Sequence, residues 1–212
     1  MRTDVAALYV DEKGPYPLLV AEWYDARRDA RTYAGPWPVV AHPPCGPWGR
    51  LRHLSTHPED RPLALAAVDQ VRQFGGVLEH PAHSLLGSSA IGADLPLPGD
   101  PADDWGGRSI EVCQCDWGHV ARKRTWLYIV GASLLPTAPE HREPTHWISG
   151  FRTSKKDSPK QYKKRGCAVP PGIKVCSSQQ RRRTPPAFAE WLLEIAAHCH
   201  PLKRTDHAPI RQ

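Results

Sequence analysis

Pro38-Val39-Val40-Ala41-His42-Pro43-Pro44-Cys45 places a cysteine just past a short apolar run, behind two prolines that restrict its backbone. Val77-Leu78-Glu79-His80-Pro81 repeats the design, with a carboxyl group at the end of a second apolar run and a proline after it. Between the two, Thr56 and Glu59 have capping-box spacing and Pro58 suits an early helical position. Ala64, Ala67, Val68, Val71 and Phe74 then recur at helical spacing until Gly75-Gly76 stops the run. Strand, helix and strand in that order predict a right-handed crossover between parallel strands. Both strands then end at one sheet edge, the edge at which open α/β sheets bind ligands. Cys45 and Glu79 are therefore expected to face one pocket.

Around this unit the chain of 212 residues carries a formal charge of +6, 23 prolines and six cysteines. That length predicts one domain with a sizeable core. No apolar run approaches membrane-spanning length, and Met1-Arg2-Thr3-Asp4 is not followed by a signal-peptide core. The prolines predict much ordered loop. Cys113 and Cys115 are read as facing away from each other, which argues against a short disulfide framework and for a reducing compartment. Cys113, Cys115 and His119 lie close together, with Cys167, Cys176, His198, Cys199 and His200 further on. None has the paired two-residue cysteine spacing of a zinc site, and no metal is expected.

The positive charge is unevenly placed. Arg152, Lys155, Lys156, Lys160, Lys163, Lys164 and Arg165 cluster around Tyr162, and Arg181-Arg182-Arg183 follows. The cluster reads as an arm that contacts nucleic-acid phosphates through Lys155, Lys156, Lys163, Lys164 and Arg165, or as a solvated insertion. A helix then begins at Thr184-Pro185-Pro186, with Phe188, Trp191, Leu192 and Ile195 on one apolar stripe that predicts docking on the core. Three parts follow: a catalytic core over 1–150, a basic arm over 151–183, and a packing helix with its tail over 184–212.

His42-Pro43-Pro44-Cys45-Gly46-Pro47-Trp48 resembles the Pro-Pro-Cys-Gln-Pro-Phe catalytic loop of the DNA cytosine-5 methyltransferases, and Leu78-Glu79-His80-Pro81 resembles their Glu-Asn-Val segment. Gln114-Cys115-Asp116-Trp117-Gly118, running on to Arg124-Thr125-Trp126, is similar to their Gln-x-x-Tyr-Gly-x-Pro-Gln-x-Arg-x-Arg block. The three blocks keep the family's order over residues 36 to 131 and come closest to small, phage-encoded members, for which the host cytoplasm is the expected location. The resemblance implies a Rossmann-like α/β fold with a mostly parallel sheet and flanking helices, reduced around a methyltransferase-like core. It also implies S-adenosylmethionine as donor, held near Pro44, Asp11 and Glu22, the last because Val20-Ala21-Glu22-Trp23 resembles the strand end that holds the cofactor ribose. The family's Phe-x-Gly-x-Gly loop is replaced by Leu8-Tyr9-Val10-Asp11-Glu12-Lys13-Gly14-Pro15, with a single glycine.

By that resemblance Cys45 is the nucleophile that adds to pyrimidine C6, Glu79 is the acid acting at N3, and Arg124 lies near the base carbonyl or its phosphate. The partner is DNA, with the base flipped out or already single-stranded. Two other readings stand beside methylation of cytosine in DNA. One is the same covalent chemistry with another electrophile or on a free nucleotide. The other is a non-catalytic phage protein that masks DNA sites from restriction.

Overall fold

The computed structural model describes residues 3–49, 52–148 and 174–200. Lys155, Lys156, Lys163, Lys164, Arg165 and Cys167 lie outside the described residues. Elements follow in the order β1 (Thr3–Leu8), α1 (Tyr16–Leu19), β2 (Val20–Trp23), β3 (Val39–Ala41), α2 (Arg61–Phe74), β4 (Gly76–Pro81), β5 (Arg108–Cys113) and β6 (Arg124–Val130). After them come β7 (His146–Trp147), β8 (Lys174–Val175), α3 (Ser178–Arg182) and α4 (Pro186–Ala197). Among the described residues, no helix is long and apolar enough to cross a membrane.

The main sheet has the order β2-β1-β3-β4-β6-β5. Strands β2, β1, β3 and β4 are parallel, and β6 runs antiparallel to both β4 and β5. The fold is thus α/β with a mixed, mostly parallel sheet. Residue alternation along each strand sorts the side chains onto two buried faces. Val5, Ala7, Val40, Val77, Leu127 and Ile129 meet Phe188, Trp191, Leu192 and Ile195 of α4. Ala6, Leu8, Val39, Ala41, Leu78 and Tyr128 meet Ala64, Ala67, Val68 and Val71 of α2. A strand covered on both faces has no polar side, which is why Val39-Val40-Ala41 reads as an unbroken apolar run.

The β3–α2–β4 unit is the crossover expected from sequence, with one local difference. Thr56 and Glu59 do not cap the helix: Pro58–Asp60 form a separate 3-10 turn, and α2 starts at Arg61 behind Asp60, which makes no side-chain cap. At the other end Gly75 and Gly76 adopt φ of 75° and 127°. A Cβ on Gly76 would lie 2.0 Å from the Val39 carbonyl oxygen, the backbone with which β4 pairs. Gly76→Ala is therefore expected to destabilise the fold by more than about 4 kcal/mol. Gly118, also at positive φ but with open space around it, should lose only about 1–2 kcal/mol on the same change. Thermal melts of the two variants compare a backbone clash with a φ penalty alone.

The chain leaves β1 for β2 on one side and later places β3 on the other side of β1. This reversal makes the carboxyl ends of β1 and β3 the point where the strand order switches direction, the position at which doubly wound sheets bind ligands. Tyr9, Val10 and Asp11 follow β1 at that edge, and His42 to Cys45 follow β3.

Candidate active site

His42 continues the pairing of β3, its N–H donating to the Leu8 carbonyl at 3.0 Å. The chain then turns through Pro43 and Pro44 into a 3-10 turn over Gly46–Trp48. Cys45 stands at its start with φ −91° and ψ −9°, in the sparsely used bridge region. Trp48 anchors the loop: it is fully buried, its indole N–H donates to the Arg61 carbonyl, and the Arg61 guanidinium covers its ring. The Cys45 side chain reaches solvent. The protein packed around it nevertheless pushes its thiol pKa up, as does the charge of Glu79, while Lys123 and Arg181 act in the opposite sense. Water contact decides whether a substrate can meet the sulfur, and the raised pKa keeps it a thiol at neutral pH.

Glu79 lies on β4, the neighbour of β3, and is 8% exposed. Its Oε1 accepts a hydrogen bond from Gln114 Nε2 at 2.8 Å and one from Thr125 Oγ1 at 3.4 Å. Its Oε2 lies 3.3 Å from His42 Nδ1. Burial would raise the Glu79 pKa, but the charge of Lys123 and the His42 hydrogen bond outweigh it and bring it down to about 2. Glu79 thus enters the site as a carboxylate.

His42 connects this carboxylate to Tyr16, whose hydroxyl is 2.6 Å from His42 Nε2. Burial and the charge of Glu79 hold the Tyr16 pKa well above its usual value, so it keeps its proton and donates. A neutral His42 ring then carries its proton on Nδ1 and donates to Glu79. With both nitrogens engaged, His42 has none left for Cys45, and the Cys–His pair of thiol hydrolases is not assembled.

Gln114 is fully buried, and its amide also donates to Thr125 Oγ1 at 3.0 Å. Its Oε1 has no hydrogen-bond partner among the described residues, an unused acceptor beside a carboxylate. His80 points to the opposite face of β4. Burial brings its pKa down to about 4 against the charge of Glu79 and the Pro44 backbone, yet neither ring nitrogen makes a hydrogen bond of full geometry. A water-sized cavity of about 20 Å³ adjoins it, lined also by Ser84 and Ser109.

The other residues singled out from sequence fall elsewhere. Arg124 begins β6 at this sheet edge, but Thr125 is the residue that faces Glu79, so Arg124 turns to the other face. There it forms a two-pronged ion pair with Glu111 at 2.7 and 2.9 Å, beside Trp126. Glu22 ends β2 with its carboxylate accepting the Tyr24 hydroxyl at 2.9 Å. Asp11 is exposed and closes a turn by accepting the Lys13 N–H at 2.9 Å. Pro44 is half-buried beside Cys45. His42, Gln114, Lys123 and Thr125 stood inside the quoted motifs without a role, and Tyr16 carried no local signal at all.

No family model matches this chain, and neither the curated proteins nor the solved structures contain a match to it.

Proposed function

We propose that the chain modifies a pyrimidine base, cytosine in DNA, at C5 through a covalent bond between Cys45 Sγ and C6. The observation that carries this reading is the solvent-reached Cys45 thiol beside a buried, ionised Glu79 at the carboxyl edge of neighbouring parallel strands. Such a carboxylate accepts the N4 amino hydrogen of a cytosine and favours protonation at N3. Once its thiol has lost its proton to solvent, the sulfur forms the S–C6 bond, and the electron pair of the C5–C6 double bond moves to C5 and is drawn toward N3. C5 then bonds an electrophilic carbon, whose leaving group departs with the electron pair of its own bond to that carbon. Loss of the C5 proton to a base expels the thiolate and restores the double bond.

The resemblance to cytosine-5 methyltransferases implies S-adenosylmethionine as the electrophile. The residues after β1 do not fit that cofactor in the family's manner. Tyr9 holds φ 58° where a glycine would allow close approach, its hydroxyl is bonded to Gln70, and α1 has only four residues. The covalent step at C6 therefore stands on the chain's own residues. Calorimetric titration with S-adenosylmethionine tests the donor: saturable binding makes the transferred group a methyl, and no heat assigns the C5 step to another electrophile.

Lys123 is the cation for this site. Laid on Gln114 without a gap, the family block places its arginines at Lys123 and Thr125, the residues that act on Glu79. Lys123→Ala is expected to weaken DNA binding and to lower the slope of log affinity against log salt by about 0.9, the value for one phosphate contact. Arg124→Ala should leave the slope unchanged, because its guanidinium already holds Glu111. Fluorescence anisotropy over a salt series reads both. Equal effects in the two variants would contradict the assignment.

A further inference from the structure

We propose that Cys113, Cys115, Asp116 and His141 hold a zinc ion that ties the segment after β6 to the turn carrying Gln114. This inference is independent of the reaction proposed above. A sulfur of Cys115, a carboxylate oxygen of Asp116 and a ring nitrogen of His141 lie within 4.8 Å of one another. Asp116 Oδ1 is 2.8 Å from His141 Nδ1 and 3.5 Å from Cys115 Sγ. Cys113 supplies a fourth donor, its sulfur 2.8 Å from that of Cys115. The expectation that the two cysteines face apart is thus wrong: residues two apart in a strand share a face, and the chain turns directly after Cys113.

A sulfur separation of 2.8 Å is too long for a disulfide, whose bond is about 2.05 Å, and too short for two thiols in simple contact. Tetrahedral zinc, with bonds of about 2.0–2.3 Å, places its donors roughly 3.3–3.8 Å apart. The observed separations lie at or below that range, and the donors of Cys115, Asp116 and His141 already converge within 4.8 Å, so an ion held by these three would draw in the Cys113 sulfur, which adjoins Cys115, as the fourth. Two thiols, an imidazole and a carboxylate are a donor set for a borderline-soft cation such as zinc rather than for magnesium or calcium. A plain Asp116–His141 ion pair does not account for the paired thiols.

Three other candidates noted in the sequence have partners elsewhere. His119 bonds the Ala121 backbone and the Gln180 carbonyl, and the thiols of Cys176 and Cys199 donate to Ser177 and Ile195 carbonyls. Four protein donors close the coordination shell, which makes the ion structural. Gln114 lies between the two cysteines, so the ion would hold the residue that orients Glu79.

The test uses the full chain expressed without a chelating tag. Mass spectrometry of the metal content should find one zinc per chain, and cobalt in its place should give thiolate charge-transfer absorption. His141 is exposed, so His141→Ala keeps the fold. Competition with a chromophoric chelator should show it losing zinc affinity by more than the about 10- to 100-fold typical of removing an outer-shell partner. Cys115→Ser should lose at least as much. A zinc-free chain that does not take up zinc, or parental affinity in His141→Ala, would overturn the proposal. So would a chain two hydrogens lighter in mass, with Cys113 bonded to Cys115, that still refuses zinc after reduction.

Discussion

Cys45→Ser is expected to abolish covalent capture of DNA carrying 5-fluorocytosine. If the Cys45 sulfur adds to C6 and C5 then takes its electrophile, fluorine cannot leave as the C5 proton does, and the protein stays joined to the base. The parent protein, incubated with such DNA and the donor that supports turnover, should give a complex that survives denaturing electrophoresis. A serine hydroxyl in the same environment is a far weaker nucleophile, and nothing in the site activates it, since both His42 nitrogens are taken by Tyr16 and Glu79. Cys45 touches solvent and lies outside both core clusters, so the serine variant should melt as the parent does and keep its DNA affinity. An adduct that persists in Cys45→Ser would place the nucleophile elsewhere and end the proposed reaction.

Glu79→Gln should lower turnover by about 10²- to 10⁴-fold, the usual contribution of a positioned acid–base group. It should also change how stability depends on pH. In the folded protein the Glu79 pKa lies at about 2, below its ordinary 4.5. A depressed carboxylate pKa contributes stability that is fully present above about 4.5 and is lost as pH falls toward 2. The contribution is on the order of 3 kcal/mol. The parent should therefore lose stability over that acid window more steeply than Glu79→Gln, whose amide does not titrate. At neutral pH the variant should be the less stable of the two, because Lys123 and His42 then face an uncharged group. Urea unfolding at several pH values checks this. Parallel acid profiles in the two proteins would show that Glu79 is not held as an ionised, paired group.

The β3–α2–β4 unit was legible because its signals are local. An apolar run before His42, apolar residues at helical spacing from Ala64 to Phe74, and a glycine stop each act on the backbone within a few residues. A strand–helix–strand connection between parallel strands then brings both carboxyl ends to one edge without knowledge of any distant contact. The packing of α4 was legible for the same reason, since an apolar stripe on a helix must be covered.

Other features depend on which strand lies beside which. That β6 inserts between β4 and β5 places Leu127 opposite Glu79 and Thr125, two residues before it, on the same face within reach of that carboxylate, and turns Arg124 away toward Glu111. A shift of one residue exchanges the two faces of a strand, and the basic run Arg122-Lys123-Arg124 does not by itself say which of its charges faces inward. The ionised state of Glu79 rests on Lys123 and His42, distant in sequence, and the sign of its pKa shift emerges only from their balance against burial. The convergence of Cys115 and Asp116 with His141 likewise joins segments with no common periodicity. The sequence by itself determined the two strand ends, the crossover helix and the residues placed at one edge. Tertiary structure alone decided which side chains meet there and in what charge state, because those depend on partners brought together by the sheet order.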